Sequence, residues 1–265
     1  MHDRLAAVLD GFAPAAIAVS GGVDSMTLAF YAHRHLGGDR IQMIHAISPA
    51  VPPEATQRVR HYADAEDWRL AILDAGEFAD RDYIANPVNR CYFCKTNLYD
   101  AIAEHTDRRI LSGTNTDDLG EYRPGLDAAR EHEVRHPYLE AGIDKAGVRA
   151  LARSLGLGDL AELPASPCLS SRIETAIPID AAVLASVHAA ENLLSVSLRP
   201  QTVRCRVRRG GIVVELDGAS LGGLDAARRD ALAAAVAGLF PAALAGTAVT
   251  FTPYKNGSAF LGAQT

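Results

Sequence analysis

Apolar residues along the chain fall into two alternating kinds of run. Short, nearly continuous ones cover Ala15 to Val19, Ile41 to Ile47, Leu70 to Leu73 and Arg109 to Leu111. Between them lie segments of helical period, from Asp24 to His35, Glu54 to Glu66 and Lys95 to His105. Short apolar runs alternating with amphipathic helices predict a parallel sheet covered on both faces, hence an α/β, doubly wound architecture. Asp144 is placed to cap a helix through Val148, Leu151 and Leu155, with Gly156 ending it in a left-handed turn.

After Pro178 the order changes. The pattern reads helix (Asp180 to Leu194), strand (Thr202 to Arg208), a Gly210-Gly211 turn, strand (Ile212 to Leu216), helix (Leu224 to Leu239) and strand (Ala248 to Thr252). This places a boundary near residue 175, with a first domain over 1–175 and a smaller α/β domain over 176–265. The uncharged stretch Ala231 to Phe251 is long enough to span a bilayer, but Pro241 interrupts it and its front half is amphipathic. A buried helix followed by a strand is the expected form, with no membrane association. The first ten residues lack a signal-peptide pattern, so a cytoplasmic location is expected.

Composition sharpens this picture in two ways. A net charge of −6 provides no chain-wide basic field for a phosphate backbone, so no nucleic-acid partner is expected. Four cysteines without a secretory context point to metal, cluster or nucleophile chemistry rather than to disulfides.

The densest chemical signal is Ser20-Gly-Gly-Val-Asp-Ser25, between the first strand and its helix. A Gly-Gly pair there lets main-chain N–H groups converge on an anion at the positive end of the helix. Ser20 and Ser25 supply hydroxyls, and Asp24 either orients the loop or holds Mg2+. The loop lacks the lysine of a Walker A sequence. Cys91 and Cys94, in Asn89-Arg-Cys-Tyr-Phe-Cys-Lys95, share a helix face and can share a ligand; a redox dithiol and a pair of core thiols have the same spacing. Cys168 lies in the Pro-rich polar loop Ser166-Pro-Cys-Leu-Ser-Ser-Arg172, where Arg172 is placed to lower a thiol pKa. Three such cysteines could hold a 4Fe-4S cluster with one open iron, or a zinc with one open position. Cys205 alternates with Val203 and Val207 and is expected in the core.

The hexapeptide resembles the PP-loop of the ATP pyrophosphatases, which cleave ATP between the α and β phosphates. Taken with Asn89 to Lys95, Gly113-Thr-Asn-Thr-Asp-Asp118, Tyr122-Arg-Pro-Gly125 and Pro167 to Arg172, in that order, the chain resembles the LarE sulfur transferases over nearly its whole length. The resemblance implies an adenine nucleotide alpha hydrolase-like first domain. Its activity would be adenylation of a carboxylate of pyridinium-3,5-biscarboxylic acid mononucleotide, followed by displacement of AMP by sulfur to leave a thiocarboxylate, a step toward the nickel-pincer nucleotide of lactate racemase. Cys168 matches the sulfur-bearing cysteine, and the added Cys91 and Cys94 match members that carry a cluster. Catalytic Cys168 and Asp24, ATP ligands Ser20, Gly21, Gly22, Asp24, Ser25, Gly113 and Thr114, and Mg2+ at Asp24 and Asp118 are implied. Asp117 and Asp118 serve equally well as helix caps. A substrate phosphate is expected at Arg204 and Arg206, with Arg172 and Glu191. The implied partners are the nucleotide substrate, a sulfur donor that is sulfide or a carrier, and further copies of the chain in a homo-oligomer.

Two stretches depart from the pattern: Glu174-Thr-Ala176, where relatives have Pro-Tyr-Gly, and Tyr254-Lys-Asn-Gly-Ser258. A tRNA-thiolating enzyme with the same loop is the alternative within this chemistry, set against by the acidic charge and the lack of an RNA-binding module. A non-catalytic ATP- or zinc-binding regulator is the alternative outside it.

Overall fold

A computed structural model describes residues 2–120, 123–164, 166–244, 246–255 and 257–258. The chain divides into two compact units, Met1–Asp80 with Asn89–Ser166, and Arg81–Val88 with Pro167–Thr265. The expected boundary at 175 therefore falls inside the second unit, which begins at Pro167 and also takes in an excursion at Arg81–Val88. Tertiary contacts far apart in sequence join that excursion to the second unit. Asn86, fully buried, donates through Nδ2 to the carbonyls of Glu174 (2.9 Å) and Ile177 (2.8 Å), and Ile179 N–H donates to Ile84 O.

The first unit carries α1 (His2–Asp10), β1 (Ala15–Ala18), α2 (Val23–Leu36), β2 (Ile41–Ile47), α3 (Pro53–Ala65) and β3 (Leu70–Asp74). After the excursion, which forms α4 (Arg81–Ile84), it continues with α5 (Arg90–His105), β4 (Arg109–Leu111), α6 (Gly125–Glu131), α7 (Pro137–Ala141), α8 (Lys145–Ser154) and α9 (Gly158–Ala161). Its four strands form one parallel sheet in the order β3-β2-β1-β4. The α/β expectation holds for this sheet, and all four strands lie where the apolar runs put them. Parallel strands need covered faces, and Ile17, Met43 and Leu111 pack with Met26, Phe30 and Leu151 in one continuous core. Asp144 caps α8 through a 2.7 Å bond from Gly147 N–H, and Gly156 has φ +79° beyond its end.

The second unit continues with α10 (Ala181–Leu198), β5 (Val203–Arg208), β6 (Gly211–Leu216), α11 (Gly218–Gly222), α12 (Ala226–Ala237) and β7 (Val249–Pro253). Its sheet runs β5-β6-β7, antiparallel across the Gly210-Gly211 turn and parallel between β6 and β7. The stretch from Ala231 to Phe251 resolves into the end of α12 and most of β7, as its Pro241 break requires. Among the described residues α10 is the single helix long and apolar enough to cross a membrane by length and composition. Its Leu184, Val187, Ala190 and Leu194 are buried.

Candidate functional site

In a doubly wound sheet, ligands bind beyond the C-terminal ends of the strands, where the strand order reverses. Here that point lies between β1 and β4, and the segments leaving both strands meet there. The loop Ser20 to Ser25 leaves β1 and opens α2. Gly21 takes φ +80°, and a Cβ at that position would come within 2.7 Å of Ala55 O, so the turn requires glycine on both grounds. Gly22 is the N-cap of α2 and gives it no side-chain cap, so the first-turn N–H groups are not taken up by a capping side chain. Ser20 and Ser25 were expected to offer hydroxyls to a ligand. In this structure they brace the loop: their oxygens lie 3.0 Å apart, Ser20 N–H donates to Ser25 Oγ at 3.0 Å, and Ser25 Oγ donates to Gly22 O.

The segment after β4 closes on the same place. A Cβ on Gly113 would stand 2.7 Å from Ser25 N and 2.9 Å from Asp24 C, so its backbone is packed directly on the loop. Thr114 follows, with Oγ1 3.0 Å from Ser112 Oγ, which lies 2.7 Å from His136 Nδ1. Burial lowers the His136 pKa, opposed by the negative charge of Glu140 and aided by the positive charges of Lys95 and Arg135.

Asp24 is bonded to Lys145, Asn115 and Tyr138. Its Oδ2 accepts from Lys145 Nζ at 2.5 Å and its Oδ1 from Asn115 Nδ2 at 3.2 Å. Buried Tyr138 donates its hydroxyl to Asp24 O at 3.2 Å. Asp118 Oδ2 accepts from Asn115 N–H (3.0 Å), and its Oδ1 pairs with Arg123 (2.8 Å). Asp117 Oδ2 accepts from Lys145 N–H at 3.3 Å. Both carboxylates thus accept a backbone N–H, as a capping role requires. Each carboxylate considered for Mg2+, Asp24 and Asp118, has a cationic side chain as partner.

Lys145, Arg58 and His45 were absent from the sequence reading. Arg58 on α3 donates to Gly21 O at 2.8 Å and anchors the loop from the far side. His45 on β2 is buried beneath the loop, bonded to Val19 O (2.8 Å) and Thr56 Oγ1 (2.9 Å). Lys145 is the first residue of α8, 121 positions from its partner, and only its neighbour Asp144 carries a local signal.

Cys91 and Cys94 sit in the first turns of α5, both half-buried, on the first unit. Cys168 is a free, exposed thiol on the second unit, at the N-cap of a 3-10 turn over Leu169–Arg172. Three thiols suit a soft metal or an iron-sulfur cluster, and two of them one helical turn apart fit two of its ligands. Among the described residues, no three His, Cys, Asp or Glu side chains are grouped as metal ligands. Cys205 is fully buried on β5, as expected, and burial pushes its thiol pKa far up, which keeps it inert.

Of the residues expected at a substrate phosphate, Arg172, Glu191 and Arg206 occupy ion pairs within the second unit. Arg172, 3% exposed, pairs side-on with Glu191 through Nε at 2.9 Å and Nη2 at 3.0 Å. Arg206 pairs with buried Glu215 at 2.8 Å, and Arg208 reaches the same carboxylate at 2.7 Å. Arg204 is half-buried, donates to Val203 O, and has its pKa lowered by burial and by neighbouring Arg172. Arg172 is thus charge-neutralised by Glu191, a carboxylate that the local sequence pattern did not pair with it. Tyr122 and Asn256, within two of the quoted motifs, lie outside the described residues. Ala176, where the resemblance expects glycine, adopts φ +68°, the left-handed backbone that glycine accommodates best.

No family model matches the chain. An uncharacterised protein of Synechocystis is 40% identical over 162 residues, and the match spans 60% of each chain. Pyridinium-3,5-bisthiocarboxylic acid mononucleotide synthase of Lactiplantibacillus plantarum is 30% identical over 222 residues, 82% of this chain and 80% of that protein. An uncharacterised protein of Methanocaldococcus jannaschii is 24% identical over 205 residues, 76% of this chain and 77% of its own.

Proposed function

The chain belongs to the LarE family, that of pyridinium-3,5-bisthiocarboxylic acid mononucleotide synthase, and on that premise we propose that it is an ATP-dependent sulfur transferase making a thiocarboxylate on a pyridinium mononucleotide. The observation that carries the reading is the junction of the Ser20 to Ser25 loop with Gly113 and the Asp24–Lys145 pair, at the strand ends where a nucleotide would lie. The loop N–H groups and the α2 N-terminus suit the β and γ phosphates, with Ser20, Gly21, Gly22 and Ser25 shaping the cradle and Gly113 and Thr114 forming its second wall. Asp24 and Asp118 are the carboxylates that would hold a nucleotide-bound Mg2+, which would offset charge on the phosphates. Lys145 then adds positive charge where pyrophosphate departs.

The order of events follows from leaving-group chemistry. A free carboxylate resists attack by sulfide because oxide would have to leave. Attack of the carboxylate oxygen on the α phosphorus breaks the bond to pyrophosphate and leaves an acyl adenylate. Sulfur then adds to the acyl carbon, AMP leaves, and the thiocarboxylate remains. Cys91, Cys94 and Cys168 would hold a 4Fe-4S cluster, whose open iron supplies a binding place for sulfide. The second unit, with half-buried Arg204 on β5, is assigned to substrate binding and to homo-oligomer assembly.

Nucleotide analysis tests the reading. With the dicarboxylated pyridinium mononucleotide present, AMP and pyrophosphate should accumulate together; ADP and phosphate would refute it. Anaerobic purification checks the cluster, which should give a brown protein that loses colour on Cys91→Ala or Cys168→Ala.

A further inference from the structure

The chemistry proposed for Cys168 needs an exposed thiol in one place, yet it stands on an irregular loop. The structure holds this loop from below with unusual completeness. Beneath Cys168, residues 169–174 are all buried. Arg172 sends Nη1 to Pro167 O (2.8 Å), Cys168 O (3.2 Å) and Ser171 Oγ (2.9 Å), while Nε and Nη2 take both oxygens of Glu191. Glu191 Oε1 also accepts from Cys205 N–H at 2.9 Å, which ties the arrangement to β5. Arg206 donates to Ser171 O (3.1 Å), and Tyr83 and Ser170 share a buried 2.6 Å bond.

We infer that Arg172, locked by Glu191, is a positioning residue: it clamps the carbonyls of Pro167 and Cys168 so that the thiol of Cys168 is presented in one place, and it is not a ligand for substrate anions. The inference rests on the sulfur-transfer reading for its purpose, but its geometry stands on the second unit alone. A planar fork with five donors can hold a carboxylate and two carbonyls together. A lysine in its place keeps the charge and loses that reach. Since Glu191 already neutralises the guanidinium, an incoming phosphate would have to displace a buried carboxylate from it.

Hydrogen exchange on the protein without substrate, combined with steady-state kinetics, tests the assignment. In Arg172→Lys, amide exchange over residues 168–172 should accelerate at least about tenfold. The rate of sulfur transfer should fall by about 10–100-fold, the scale of a slight misplacement of a reacting group. Pyrophosphate release and the KM for the dicarboxylated nucleotide should stay as they were. A raised KM with sulfur transfer intact would make Arg172 a substrate ligand and overturn the clamp. Should the lysine variant fail to fold, Glu191→Gln serves in its place: it frees Arg172 on one side and should also speed exchange over 168–172. Unchanged exchange in that variant overturns the inference. Because exchange needs no substrate, it judges the clamp even if the unsubstituted protein forms no AMP, a failure that would count against the proposed function alone.

Discussion

In the proposed reaction, Lys145 is the side chain on which the nucleotide chemistry would depend most. Its ammonium, 2.5 Å from Asp24, stands at the loop with no close sequence neighbour to announce it. Lys145→Met should leave a folded protein, since the pair is about a third exposed, and should cut pyrophosphate release by about 10²–10³-fold, the scale seen on removing one group that stabilises developing charge. A variant releasing pyrophosphate at the original rate would remove Lys145 from the mechanism.

His45 gives a pH dependence of definite sign. Burial lowers its pKa below the ordinary 6.5, opposed by the bond to Val19 O and aided by Arg60. The unfolded chain therefore binds the extra proton first, so the stability contributed by neutral His45 is full above pH 6.5 and is lost as pH falls toward the folded-state value. In that window the slope attributable to His45 is at most about 1.4 kcal/mol per pH unit. Urea titrations at pH 5 and 7.5 should show a larger acid loss for the unsubstituted protein than for His45→Gln; equal losses would show that His45 is not responsible.

Elements show how much of the molecule could be read locally. Ile41–Ile47 and Arg109–Leu111 coincide with their strands because a buried parallel strand is written as a nearly continuous apolar run, interrupted here by Gln42 and His45 and led by Arg109. The cap at Asp144 and the left-handed turn at Gly156 were legible for the same reason, since both are matters of a few neighbouring residues. Lys145 with Asp24, Arg58 with Gly21 O and Arg172 with Glu191 were not. Each joins different elements, and a charged residue on a helix or loop carries no local mark of its partner. Gly113 lies between these cases: the motif flagged it, but only the fold explains why no side chain fits. Gly113→Ala would drive a methyl to 2.7 Å from Ser25 N. It should weaken ATP binding by at least about tenfold, since about 1.4 kcal/mol of displacement in the loop suffices, while the secondary-structure content by circular dichroism stays unchanged. Undiminished ATP affinity by calorimetry would show that the loop yields freely.

On the scale of the whole chain, the division of labour follows the two units. The Ser20 to Ser25 loop, Lys145 and the Cys91–Cys94 pair belong to the first, and Cys168 with its buried arginine–glutamate pairs to the second. The excursion Arg81–Val88 escaped the sequence reading because eight residues between two first-unit elements look like an ordinary loop until their long-range bonds to Glu174 and Ile177 are seen. The proposed function joins these parts into one reaction, in which ATP would activate a carboxylate and sulfur would replace one of its oxygens. Mass spectrometry of the pyridinium nucleotide after incubation with ATP, Mg2+ and sulfide under anaerobic conditions tests that claim most directly. The account predicts a product in which one oxygen is exchanged for sulfur, formed together with AMP and pyrophosphate; an unaltered nucleotide beside those two products, or a thiolated one formed without ATP, would contradict it.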